Sequence, residues 1–99
     1  ALLELARAEP GPVAPVPLLP AIERAIVTQA ARRVREDLEF AIDIAPGTRA
    51  EIRPAVLRIV LANLIGNVYA HADPGPVRID VHENRCRIRN RAAQGLGGG

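Results

Sequence analysis

A chain of 99 residues, 48% of them hydrophobic, holds one small domain with a core of its own. One Phe, one Tyr and no Trp or Met make that core aliphatic. The net charge is +2 with every basic side chain an Arg, which admits a polyanion, but two aromatic residues are too few to form stacking platforms for single-stranded nucleic acid.

Ala1 to Ala8 reads as the end of a helix, stopped by Pro10, Gly11 and Pro12. Val13 to Pro17 is extended, and its prolines confine it to an edge strand or a linker. Pro20 suits the first turn of a helix, and Ile22, Ile26, Ala30 and Val34 recur at every fourth position. That spacing predicts an amphipathic helix over 21–37. From Glu39 to Ile44 the pattern alternates, with Phe40, Ile42 and Ile44 on one face of a half-buried strand. Pro46-Gly47-Thr48 turns the chain, and Glu51-Ile52-Arg53 is a short extended piece. Pro54 opens the strongest helix, predicted over 54–72 and ended by Asp73-Pro74-Gly75-Pro76. Val77 to His82 alternates again, and Glu83-Asn84-Arg85 turns it back into Cys86 to Asn90 as a hairpin. A glycine-rich stretch, Gln94 to Gly99, follows. The order predicts an α+β fold, a few strands with two main helices packed on one face.

Within the 54–72 helix, Asn63, Asn67 and His71 fall in steps of four and form one polar stripe. Leu57, Leu61, Leu64, Ile65 and Val68 line a broad apolar face beside it. Amides next to a core-facing stripe need partners, because a buried unsatisfied one costs roughly 1–3 kcal/mol. A Mg2+ ion with its phosphates would satisfy them, since Mg2+ takes oxygen ligands and accepts a neutral amide carbonyl. The spacing equally admits amides that cap local backbone or face water.

Asn63-Leu64-Ile65-Gly66-Asn67-Val68 resembles the N-box helix of the histidine-kinase branch of the Bergerat-fold ATPases. Over essentially the whole chain the order of elements resembles the ATP-binding catalytic domain of a bacterial sensor histidine kinase. The resemblance implies ATP and Mg2+ as cofactors, with Asn67 the principal metal ligand and Asn63 a second ligand or a phosphate contact. It puts Tyr69, Ala70 and His71 along the nucleotide pocket, Ala70 standing where many members carry a Lys or Arg. His71 then either touches phosphate or base, or only ends the helix, where a cationic ring is favoured. Asn90 stands where the family has an Asp that accepts a hydrogen bond from the adenine amino group. An amide oxygen accepts the same bond without charge assistance. Arg91, Ala92 and Ala93 replace the glycines expected just after it. Gly95, Gly97 and Gly99 resemble the later box whose backbone amides wrap the phosphates. Asn90 and Gly95 are nearly adjacent, so the lid that most members place between these motifs is almost absent.

The implied fold is a two-layer sandwich of a mixed sheet with helices on one face, cut off at its C-terminus. Residues 1–9 would end the dimerisation helix, and 10–99 would form the first part of the catalytic domain. Without the strands that should follow, Cys86 to Asn90 would be an exposed apolar edge, and a homo-dimer or strand exchange is expected there. The implied partners are the dimerisation and phosphoacceptor domain of the same protein and, through the full kinase, a response regulator. The parent would be a protein-histidine kinase supplying the γ-phosphate of ATP in two-component signalling. Neither His71 nor His82 has an acidic helical context, so the phosphoacceptor lies outside the chain, no residue here is catalytic, and the fragment alone is expected to be inactive. The alternative is a non-catalytic dimerisation or interaction module whose amides are solvated. Arg32, Arg33 and Arg35 with Arg85, Arg87, Arg89 and Arg91 are the basic residues that could meet a nucleic acid. Alternate arginines read as the solvated face of a strand and no motif accompanies them, so no nucleic acid is expected. A lone Cys86, no signal pattern and no apolar run of membrane length point to a cytoplasmic domain. The resemblance implies a parent kinase anchored in the inner membrane.

Overall fold

A computed structural model describes residues 2–4 and 15–92 of the chain. The elements are β1 (Leu2–Glu4), β2 (Val16–Pro17), α1 (Leu18–Arg32), β3 (Leu38–Asp43), β4 (Arg49–Ala50), α2 (Pro54–His71), β5 (Ala72–His82) and β6 (Arg85–Ala92). Four strands form a mixed sheet in the order β1-β6-β5-β3, and β2 pairs with β4 in a separate antiparallel ribbon. The class is α+β, with two helices against one face of the sheet.

Strands β3 and β5 are parallel, with Phe40 opposite Val77 and Ile42 opposite Ile79. Parallel neighbours need a long crossover, and α2 supplies it. Strands β5 and β6 form the expected hairpin, Ile79 opposite Ile88 and Val81 opposite Cys86. Its loop is one residue shorter than the sequence suggests, because Arg85 already pairs with His82. Glu83 and Asn84 alone make the turn, with φ of 50° and 61°, the positive pair that matches the twist of a two-residue hairpin.

Alternation along the strands sends Val77, Ile79, Cys86 and Ile88 to the helical side, where they meet Leu18 and Ile22 of α1 and Leu57, Leu61, Ile65 and Val68 of α2. The opposite face presents Ala41, Asp43, Arg78 and Arg89 to solvent. Cys86, 1% exposed, belongs to the core, and burial pushes its thiol up to about 11. It is therefore a neutral, small apolar side chain here.

Gly66 sits inside α2 without a backbone need for glycine. A Cβ built there would meet the Gln29 side chain at 3.6–3.7 Å, an ordinary contact. Gly66→Ala is therefore expected to stabilise the chain by about 0.5–1 kcal/mol through helix propensity. A urea midpoint that falls instead would show that this contact between the helices is tighter than its geometry.

Three expectations need correction. Helix α1 begins at Leu18, ahead of Pro20, and ends at Arg32 rather than at Asp37. It stops early because Arg35 is engaged elsewhere, in hydrogen bonds to Asp37 and to the end of α2; Val34, the last residue of the apolar stripe, is 76% exposed. Within the stretch expected to end a helix, Leu2–Glu4 is a strand, paired antiparallel with Arg85–Arg87 and burying Leu3. Sheet pairing there overrides local helix preference. The same pairing covers the β6 edge from Arg85 to Arg87, which the sequence suggests is bare. Asp73 to Pro76 follow the end of the helix as expected, and they also belong to the irregular start of β5.

Candidate functional site

The last two turns of α2 face β6 across an open cavity of ≈ 410 Å³. Leu64, Val68, Ala72 and Ile88 give it apolar walls, and its polar side chains are Asn67, His71 and Asn90. Asn67 and His71 arrive together because they are one helical turn apart. Asn90 joins them because it lies opposite Val77, and paired residues of an antiparallel ladder share a face; Val77 is in the core.

The other proposed residues are placed differently. Asn63, one turn before Asn67, is exposed and lines no part of this cavity, and Ala70 is exposed outside it as well. Tyr69 is a core residue: it is buried, and its ring stacks on Phe40 with centroids 5.8 Å apart. Two positions on from Asn67 is about 200° around a helix, so both cannot face one pocket. Desolvation of that ring raises the phenol above its ordinary 10.0. Gly95, Gly97 and Gly99 lie outside the described residues.

The amides themselves differ from expectation. Among the described residues no polar or charged side chain is buried, and Asn63 and Asn67 both reach solvent. Water satisfies them, so desolvation does not require a cation beside them. Among the described residues there is also no cluster of three or more His, Cys, Asp or Glu. The cavity's own donors are two amides and an imidazole, a set that suits Mg2+ only when phosphate oxygens complete the shell.

One residue whose role the sequence does not show organises this end of the molecule. Arg35 donates to the Tyr69 carbonyl at 2.8 Å and to the Ala72 carbonyl at 2.7 Å, while the Asp37 carboxylate accepts from it at 2.8 and 2.6 Å. It thereby caps carbonyls that α2 leaves without helical partners, at the end where a cation is favoured. The hydrogen bond from Arg35 holds the Asp37 carboxyl below its ordinary 3.8. The clasp fixes the turn that carries His71. No local pattern announces it, because Arg35 and Ala72 are 37 residues apart.

On the open face of the sheet, Asp80 accepts from Arg87 at 2.8 and 3.2 Å and from Arg89 at 2.8 Å. The Arg87 hydrogen bond, first among the causes, lowers its carboxyl below 3.8. A carboxyl lowered by folding adds stability that is present above the unfolded value and lost as the pH falls through the folded one. Stability is therefore expected to decline below about pH 4, and Asp80→Asn to flatten part of that decline in urea melts across the acid range. An unchanged acid profile in Asp80→Asn would remove this cluster as a cause.

Among the described residues no helix is long and apolar enough to cross a membrane. No family model, no curated protein and no solved structure matches the chain.

Proposed function

We propose that the chain is the ATP-binding part of a sensor histidine kinase with a Bergerat-type fold, and that the cavity between α2 and β6 takes the nucleotide. The observation that carries this reading is the meeting of Asn67 and His71 with Asn90 around one cavity. Those residues come from motifs 23 positions apart, and the resemblance names each for nucleotide contact. A volume of ≈ 410 Å³ lies within the roughly 300–1,000 Å³ of small-molecule sites.

In this reading the Asn67 amide oxygen would hold Mg2+ together with phosphate oxygens, and Asn63 takes no part. Asn90 accepts from the adenine amino group, His71 donates to a phosphate oxygen, and Leu64, Val68 and Ile88 exclude water beneath the base. Mg2+ held there would supply charge neutralisation for phosphoryl transfer. The attacking histidine belongs to the dimerisation and phosphoacceptor domain of the same protein, and the phosphoryl group passes on to a response regulator. A homo-dimer, a cytoplasmic site of action and an inner-membrane anchor for the parent kinase belong to the same proposal.

Calorimetric titration with Mg-ATP tests it. Binding is expected, weakened about tenfold or more in Asn67→Ala, the loss of one charge-assisted contact. Asn63→Ala should bind as the parent does, and Asn90→Ala should lose discrimination between ATP and GTP. No heat of binding, or equal effects of Asn63→Ala and Asn67→Ala, would falsify the assignment and leave a non-catalytic interaction module.

A further inference from the structure

The seam between α1 and α2 holds a second cavity, of ≈ 310 Å³, that shares no residue with the first. Both helices leave the β2–β4 ribbon, and Gln29 lies over Gly66 at the far end, so they run side by side in one direction. Ala21, Ala25 and Ala62 are too small to close the space between them, and Leu57 and Leu61 form its floor. Val16 and Pro54 bound one end, and Thr28 and Gln29 the other. From Ala21 to Gln29 the slot extends about 12 Å along α1, at a 1.5 Å rise per residue.

Two charges line this apolar slot, Arg24 on α1 and Arg58 on α2, and no carboxylate does. Among the described residues neither guanidinium makes an ion pair. The first turns of both helices carry no acidic residue, so their dipoles add to the positive potential at the ribbon end. A hydrophobic slot with cations on both banks is complementary to a molecule with one anionic group and one alkyl chain. Its volume accommodates a single chain rather than a docked helix, which is about 10 Å across.

We infer that the α1–α2 seam is a binding site for a free medium-chain monocarboxylate, its alkyl chain along Ala25, Leu61 and Ala62 and its carboxylate between Arg24 and Arg58. This site is independent of the nucleotide reading and stands or falls separately.

Dodecanoate, below its micellar concentration, is the probe, followed by amide NMR shifts of the 99-residue chain. Saturable shifts are expected at Ala25 and Ala62 and none at Asn67. Dodecyltrimethylammonium, with the same tail and the opposite charge, should bind about tenfold more weakly. The double variant Arg24→Glu/Arg58→Glu should reverse that preference, and Ala62→Phe should fill the slot and remove binding of both. All three positions are exposed, so the fold is retained, with circular dichroism as the check. Equal binding of the two surfactants, shifts centred elsewhere, or an unreversed preference in the double variant would overturn the site. An acidic helical peptide that shifts Ala25 and Ala62 where dodecanoate does not would also overturn it, in favour of a protein partner.

Discussion

Ile65→Ala is expected to destabilise the chain by about 2–5 kcal/mol, the range for truncating a fully buried Ile or Leu. Ile65 is 0% exposed and belongs to the face of α2 that packs on the core. The aliphatic composition leaves no large aromatic nearby to swing into the void, since Phe40 and Tyr69 are already stacked on each other. Domains of this size have about 5–15 kcal/mol in all, so a single cavity removes a large share. Ile59, on the same helix, provides the control: it is 61% exposed, and Ile59→Ala should stay within about 0.5 kcal/mol of the parent. Urea melts of the two variants decide the matter. Similar midpoints would mean that α2 turns a different face to the sheet.

Gly75→Ala should cost about 1–3 kcal/mol for a different reason. No atom lies within 4 Å of where its Cβ would be, so nothing collides. The cost is in the backbone: φ is 131°, a conformation nearly closed to side chains. The conformation is held from outside, because the Gly75 N–H donates to the Asp37 carbonyl at 2.9 Å and so starts β5 beside β3. Gly47 is the comparison, equally open but without positive φ, and Gly47→Ala should be nearly neutral. Equal thermal shifts in the two variants would rule out strain at Gly75.

Helix α2 and the β5–β6 hairpin were legible in the sequence because every signal that defines them is local. Pro54 opens the helix, leucines and isoleucines repeat at helical spacing, and alternation resumes after Gly75. The end of α1 was not legible. The carbonyls that draw Arg35 out of the helix belong to residues more than thirty positions on. Strand β1 escapes the sequence for the same reason, since Leu2-Leu3-Glu4 says nothing of a partner at Arg85–Arg87. At the candidate site, the helical step from Asn67 to His71 was readable, and Asn90 follows from the hairpin register once Val77 is known to be inside. Family likeness puts Tyr69 at the pocket, but its angle around the helix turns it into the core.

The pairing of Leu2–Glu4 with Arg85–Arg87 also orders events in time. The two segments are about 80 residues apart, and closing so long a loop yields nothing until its far side exists. During synthesis this strand emerges well before its partner and docks late. Until the hairpin is complete, Leu3 has no hydrophobic surface to enter, and this edge of the sheet is finished only when Arg85–Arg87 has been made.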